Sequence, residues 1–565
     1  MRTSKSEVYT NPAKCSDCYR CVRVCPVNAI KMENGQAMVI PENCIACGTC
    51  IPECPQHAKT YVNHVADVID LLAANNPVII SIAPSFATVY SKWERKRLPS
   101  ALRQAGFFKI TETAIGAYEV AQKTREYIEN KPNSSHICTA CPAVVNYIQK
   151  YCKEEIPDLV PVVSPMIAHA RMLKTELGPD CRVVFAGPCV AKKDEALHPK
   201  NKAFVDAVLT FSELDEILLK KNIDLKACEE SSFDQKASGF SKLFPLEEGL
   251  LKTAGFERDT FNKVIALSGF DEVKDALAAI QQKKGNYVIE PLFCRSGCIN
   301  GPVVRNSNLL QKRSELLDYF NETPKLDSTC QNIDNLGFKY EEKATSINEL
   351  YSENEISEVL KSTGKLNEED ELNCMACGYA TCRDKAIAVL QGIAEIEMCM
   401  PYMRRLAEQK NDKLIAADPN GLVILNQKLE LVSMNPAFKK MFICSDNLLG
   451  KGISYLIDPE PFERIATKQL NKYNEVIKYQ AYNLVCHLLC YAIEEENQFV
   501  GIFVDITDTY SNKEKLKDLK TETITQAQEL MEHQINMAQE LARFIGDHTA
   551  RGEILMNKLI NEIRK

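Results

Sequence analysis

Residues 15–26 read CSDCYRCVRVCP and residues 44–55 read CIACGTCIPECP, and the rest of the chain is best read outward from these two runs. Both have the spacing C-x2-C-x2-C-x3-C-P, and the second begins 29 residues after the first. Such spacing wraps three thiolates of a run round one [4Fe–4S] cube, while the fourth cysteine crosses to the other cube. The assignment that follows is Cys15, Cys18, Cys21 and Cys54 to one cluster, and Cys44, Cys47, Cys50 and Cys25 to the other. Pro26 and Pro55 turn the chain after each fourth cysteine. A zinc module is the competing reading, but zinc sites use two CxxC pairs, not two runs of four. The pair of runs is an electron wire, and by itself it names no reaction.

Composition fits thiolates that bind metal better than thiolates that pair. The chain has 565 residues and 24 cysteines, most of them in tight clusters. Disulfide scaffolds are short secreted chains, and the opening MRTSKSEVYTNPAKC lacks the apolar centre of a signal peptide. No run of about 18 consecutive apolar residues is present, so no membrane span is expected and a cytoplasmic location is. A net charge of −8 argues against nucleic acid as a partner, because phosphate binding needs a concentrated basic face. At about 150 residues per domain the length implies three to five domains.

From about Pro77 the pattern becomes α/β. VIISIAPSF (78–86) and RVVFAGPC (182–189) read as buried strands ending in turns, with helical patterns such as 101–107 and 113–129 between them. Four cysteines sit beside Pro or Gly at the expected strand ends: Cys141 in TACP, Cys189 in GPCVAKKDE, and Cys294 and Cys298 in EPLFCRSGCINGP. A ligand set spread over three loops suits a cluster held between two lobes. Buried structural cysteines are the alternative reading of each one singly.

These stretches resemble the catalytic domain of [FeFe]-hydrogenases in three motifs. The family's T-S-C-C-P corresponds to Thr139-Ala140-Cys141-Pro142, and its M-P-C-x-x-K-x-x-E to residues 187–195, GPCVAKKDE. Its E-x-M-A-C-x-G-G-C-x-x-G corresponds to residues 290–301, EPLFCRSGCING. The resemblance implies that Cys141, Cys189, Cys294 and Cys298 hold a [4Fe–4S] cluster. Cys298 would bridge to a two-iron subcluster carrying CO, cyanide and an azadithiolate, the whole forming an H-cluster. Lys192 would donate to a cyanide ligand, with Glu195 retained beside it. Ala83, Pro84 and Ser85 resemble the family's cluster-facing turn, and Pro188 belongs to the second motif.

Departures from the family pattern set the subtype. The position that supplies a proton-passing cysteine is Ala140, which holds no proton. The relay's glutamate and serine fall on Gly116 and Val160, leaving Glu119 as the retained member. Two methionines become Gly187, expected to leave extra space, and Leu292, which lacks the thioether. The expectation is slow, reversible H2 chemistry, because no titratable group lies in reach of the bridgehead amine.

Further on, Cys374, Cys377, Cys382 and Cys399 have the spacing C-x2-C-x4-C-x16-C, which resembles a small [4Fe–4S] domain of electron-transfer and sensory proteins; Gly378 permits the turn, and zinc is the competing metal. In 414–508, the β-β-α…β-β-β pattern with a closing DIT resembles a PAS domain. There Cys444, Cys486, Cys490 and His487 read as core or face residues, not ligands. Ala527, Leu530, Met537, Leu541 and Phe544, with Gln534 at one seam position, follow a heptad stripe.

The expected architecture is multidomain α+β and α/β. It runs from a bacterial-type double-cluster ferredoxin domain (1–65) to a two-lobed hydrogenase domain (66–320), then a partly helical linker (321–367). A small [4Fe–4S] domain (368–408), a PAS domain (409–510) and a C-terminal coiled-coil helix (511–565) for partner binding or dimerisation complete it. The cofactors implied are an H-cluster and three further [4Fe–4S] clusters. The partners implied are H2 and protons, a redox partner such as ferredoxin, a separate signalling kinase or phosphatase, and a second copy of the chain. No kinase ATP motif, GGDEF-like sequence or phosphatase motif is present, so output would pass by protein contact. Two other readings compete with this sensory hydrogenase: an iron–sulfur assembly factor without the diiron part, and a fully active hydrogenase.

Overall fold

The computed structural model describes residues 6–237, 239–256, 263–282, 286–304, 308–322, 335–346, 351–493, 495–507, 526–539, 541, 556 and 558. They fall into two compact units divided between Met403 and Arg404.

The first unit opens with two small antiparallel pairs, Val8–Thr10 with Lys59–Tyr61 and Ile30–Glu33 with Gln36–Val39. The cysteine runs lie around them, in loops apart from Cys21 on the short helix Arg20–Val24, and their backbone repeats. Asp17 and Tyr19 have positive φ, and so do Ala46 and Gly48 at the matching positions of the second run; Asn28 and His57 also match. Left-handed residues at these spacings bend the chain tightly enough to turn successive side chains inward.

Two parallel sheets follow. One has four strands in the order Lys109–Glu112, Val78–Ile82, Arg182–Gly187, Ala207–Thr210. The other has three, in the order Val264–Ser268, Val288–Leu292, His136–Ile137. Parallel strands buried on both faces require continuous apolar runs, and Val78–Ile82 is buried at every position. Each sheet has its own apolar core. The two stretches read as strands, 78–86 and 182–189, contain strands at Val78–Ile82 and Arg182–Gly187, each ending in a turn.

The helix expected at 101–107 instead spans Lys92–Ala105, passing through Pro99, and ends at Gly106 with φ 109°. A capping box between Ser91 and Glu94 starts it, and buried Leu98, Ala101 and Leu102 hold it to the core through the proline. The second helix covers Ala114–Glu129. Residues 335–346, within the stretch read as a linker, lie along the α/β domain: Leu336 joins its core, Tyr340 Oη donates to the Val162 carbonyl at 2.8 Å, and Lys343 Nζ donates to Asn146 Oδ1 at 2.6 Å.

The second unit is built on a five-stranded antiparallel sheet in the order Leu431–Met434, Gly421–Leu425, Gln498–Asp505, Leu484–Ile493, Lys472–Tyr479. Numbered along the chain, that order is 2-1-5-4-3. A short helix, Pro436–Met441, starts at Asn435, whose side chain accepts from the Phe438 amide. Cys486 and Cys490 point into the core, and Cys444 lies at its edge. Within the helical residues 526–539, Leu530 and Met537 of the expected seam are exposed, as is Leu541 beyond them. Met531 packs on the outer sheet face instead. Phe544 of the expected stripe lies outside the described residues.

Candidate functional site

Cys141 follows the strand His136–Ile137 and is the N-cap of the helix Pro142–Tyr151. Cys189 follows Arg182–Gly187 in the other sheet, and Cys294 follows Val288–Leu292. Ser296 and Gly297, both with positive φ, then turn the chain so that Cys298 returns to the same place. All four cysteines are partly accessible, while Pro142, Pro188, Val190, Phe293 and Ile299 beside them are buried. The thiols thus line a recess between the two sheets.

Their electrostatics show that they converge. Burial pushes the Cys298 thiol well up, and Cys141 and Cys189 push it further. Burial also raises Cys294, with contributions from Cys298, Cys189 and Cys141. Cys189 rises to about 11 through burial and then Cys141. Four thiols that crowd one another out of water resist ionising together, and a cationic metal group relieves that repulsion. Among the described residues, no three His, Cys, Asp or Glu side chains are placed to hold a single metal ion. The sets are spread wider than one ion's coordination sphere.

The N-terminal cysteines fall into two groups. Cys21 feels Cys18, Cys15 and Cys54, and the same four line one cavity with Thr10, Met32 and Lys59. Cys50 feels Cys47, Cys25 and Cys44. In both runs the fourth thiolate accepts an amide hydrogen bond at 3.2 Å, Cys25 from Ala29 and Cys54 from Ala58. Cys47 also acts on Cys294, which puts this second set next to the four-thiol recess. Lys150 Nζ, donating to the Cys44 carbonyl at 2.6 Å, and Tyr151 Oη, donating to the Asn43 carbonyl at 2.7 Å, tie that loop to the helix after Cys141. Further along the chain, Cys377 feels Cys399 and Cys374. The Cys382 amide donates to the Asn373 side chain next to Cys374 at 2.7 Å.

Around the recess, Lys192 Nζ pairs with Glu195 at 2.8 Å, donates to the Ala140 carbonyl at 3.4 Å, and acts on Cys298. The turn Pro84–Thr88, preceded by Ala83, packs against the turn at Cys298–Asn300. In it Ser85 Oγ is buried with no hydrogen-bond partner among the described residues, which leaves a donor for a bound group. Four crowded thiols, a lysine beside them and this orphaned hydroxyl fit the H-cluster that the motifs imply. Leu292 is buried at its strand end, and Glu119 is buried on the helix Ala114–Glu129.

Two of the departures from the family pattern look different in three dimensions. A side chain at Gly187 would not enter open space: a Cβ there would lie 2.6 Å from the Phe185 ring and 3.2 Å from Ala83. The expected extra room is filled by Phe185. At Gly116 a Cβ would lie 2.6 Å from His169 Cβ and 2.7 Å from the Pro165 carbonyl, so helix packing closes that relay position.

Sequence reasoning passed over two groups. Glu290 accepts from the Leu250 and Leu251 amides at 3.0 and 3.2 Å, and burial raises it to about 7. It acts on Cys298 and on buried Cys138, whose thiol burial holds well above its ordinary value. The signal was present, since Glu290 opens the third motif and Cys138 stands three residues before Cys141. Neither says in sequence that the fold buries the two near each other.

Residues 76–302 match the family of the iron-only hydrogenase large subunit, C-terminal domain. Residues 7–55 match a 4Fe-4S dicluster domain, and 370–401 an Fe-S cluster domain. The chain is an iron-only-hydrogenase-like protein with iron–sulfur domains. Among curated proteins it is 27% identical over 309 residues to the periplasmic [Fe] hydrogenase large subunit of Nitratidesulfovibrio vulgaris, covering 48% of this chain and 73% of that one. It is 32% identical over 88 residues to the cytosolic Fe-S cluster assembly factor NAR1 of Vanderwaltozyma polyspora, 16% of this chain and 17% of that one. Among solved structures, a variant of the [FeFe]-hydrogenase HydA1 of Chlamydomonas reinhardtii aligns over 50% of this chain and 100% of its own, with 17% identity and a TM-score of 0.41. The PAS domain of an HTR-like protein from Haloarcula marismortui aligns over 18% of this chain and 99% of its own, with 15% identity and a TM-score of 0.16. No helix among the described residues is long and apolar enough to cross a membrane.

Proposed function

We propose that this protein is a sensory [FeFe]-hydrogenase of low turnover. The observation that carries the reading is the meeting of Cys141, Cys189, Cys294 and Cys298 in one recess beside Lys192. When bound there, an H-cluster supplies reversible H2 cleavage. The chain's own residues hold it by four thiolates, orient it through Lys192 and Ser85, and keep water out with the buried residues around the recess.

Proton delivery is what these residues do poorly. Ala140 holds no proton, Val160 is aliphatic and buried, and Gly116 is closed by His169 and Pro165. Glu290 can hold a proton near neutral pH, but its carboxylate is tied to the Leu250 and Leu251 amides. Slow exchange keeps a bound state long enough to be read. The cysteine set at 374–399 would relay redox state, and the second unit, whose 2-1-5-4-3 sheet resembles a PAS domain, would pass it by contact to a kinase or phosphatase in a homodimer.

Ala140→Cys tests the proton argument. H2 evolution by the matured protein should rise about 10-fold or more, within the range a positioned proton donor supplies. An unchanged rate at equal cofactor content contradicts it.

The local match to NAR1 favours one other reading, an assembly factor that keeps the four-thiol cluster and never loads a diiron part. Lys192 and Ser85 argue against it, since both offer donors beyond what four cysteines and one cube require.

A further inference from the structure

The set Cys374, Cys377, Cys382 and Cys399 differs from the other cysteine sets in the charge around it. Lys365 is buried and donates from Nζ to Cys399 Sγ at 3.4 Å and to Thr363 Oγ1 at 2.8 Å. Lys385, also buried, lies on the helix Cys382–Leu390, donates to the Ile396 carbonyl at 2.8 Å, and acts on Cys377. Among the described residues, neither lysine has a carboxylate within ion-pair distance. Glu397 is the acid facing Lys385, and it is exposed, so water screens it. Elsewhere the balance is different. Lys59 is shared between the two N-terminal sets, Lys150 acts on Cys44 but is offset by Asp194, and Lys192 is offset by Glu195 at 2.8 Å.

The set is also joined to the N-terminal cysteines. Arg23 Nη2 donates to the Cys18 carbonyl at 2.6 Å, and its Nη1 to the Ala376 carbonyl at 3.5 Å. A Cβ at Gly378, which has φ +92°, would lie 3.1 Å from the Arg23 backbone nitrogen, so the two loops touch. Tyr379 is buried near Cys377 and Cys25, and its hydroxyl has no partner among the described residues. Tyr379, Met398, Ile393 and Ala388 share one apolar cluster with Val8, Val22 and Met32 of the N-terminal fold.

We infer that Lys365 and Lys385 make the cluster at 374–399 the electron sink of this protein. Reduction adds one negative charge to a [4Fe–4S] cluster, and two buried, uncompensated ammonium groups favour that charge over the same addition at either N-terminal cube. One electron then moves from an N-terminal cube, which is oxidised, to this cluster, which is reduced, and no bond changes. Lys365 and Lys385 act as positioning residues through their charge; they touch no substrate.

The inference requires a cluster at 374–399 but not the hydrogenase reading, and a redox titration of the full-length, cluster-reconstituted protein followed by electron paramagnetic resonance separates the two. Cys377→Ala should remove about four irons per chain and one signal, which identifies the cluster. If it removes neither, the set holds no cluster, and both the domain reading and the inference fail. In the wild type that signal should be reduced at the highest potential of all. Lys365→Met and Lys385→Met should each lower its reduced fraction at fixed potential about 10-fold, equal to about 59 mV for a one-electron couple. The other signals should not move, and Lys365→Arg should stay within threefold of wild type. Should Lys365→Met lose iron, Lys365→Gln keeps a donor without the charge and decides instead. Unmoved potentials, or shifts confined to the N-terminal signals, overturn the inference.

Discussion

The two N-terminal cysteine runs and the four-thiol recess both gather thiolates, but they draw their geometry from different sources. Each N-terminal run places its ligands by local backbone alone, through left-handed residues at matching positions such as Asp17 and Ala46. The recess takes Cys141, Cys189, Cys294 and Cys298 from the ends of strands in two separate sheets, so its shape depends on the packing of the whole α/β domain. A cluster built locally can be read from spacing and lost piecemeal. One built by a fold can be tuned at a distance and fails when the fold shifts.

The largest expected effect is at a ligand. Cys298→Ala should abolish any diiron loading and cost about four irons per chain, while Cys18→Ala should cost one N-terminal cube and leave the recess loaded. Iron counts and electron paramagnetic resonance on both variants check this. Equal damage to both sites from either change would break the contrast.

Gly116→Glu should come next. It restores the type of side chain that the relay lacks, yet its Cβ would meet His169 and the Pro165 carbonyl at under 3 Å. Overpacking of this kind costs about 1–3 kcal/mol or more, so the thermal midpoint should fall with no gain in H2 evolution. Ala140→Cys, which adds a single sulfur atom, should do the opposite.

These two positions also mark where the sequence stops being informative. The grouping of thiols at 15–55 was legible because three of each set and their turn lie within a few residues, and the same spacing recurs 29 residues on. The four recess cysteines were legible only through motif resemblance, since nothing local makes Cys189 meet Cys298. Gly116 and Gly187 read in sequence as lost side chains. The structure shows that His169 and Phe185 fill those places, and such packing depends on contacts far apart in the chain. Glu290, Lys365 and Lys385 escaped notice because burial, not residue type, gives each its role. The stripe at 527–544 is of another kind: a heptad pattern says what a helix can pair with, and a single chain holds no second helix to test it.

A pH dependence of up to about 3 kcal/mol should arise at Glu290. Its folded value of about 7 lies above that of an ordinary carboxyl, so the folded state holds the proton more tightly. Its stabilising contribution is fully present below the unfolded value and is lost as pH rises through about 7. Thermal midpoints between pH 5 and pH 8 should decline more steeply in the wild type than in Glu290→Gln. Parallel curves would place the carboxyl elsewhere in its titration.

The smallest effect is expected at Arg23→Ala, which removes two exposed hydrogen bonds to carbonyls and should cost about 1 kcal/mol. Both flanking clusters should survive it, as judged by iron content.

Infrared spectroscopy of the protein matured with its diiron cofactor tests the main claim most directly. If the thiols at 141, 189, 294 and 298 support an H-cluster, CO and cyanide stretching bands should appear in the wild type and vanish in Cys298→Ala. A wild-type protein with its full complement of cubes and no such bands would contradict the hydrogenase reading and leave an iron–sulfur protein of the assembly-factor kind.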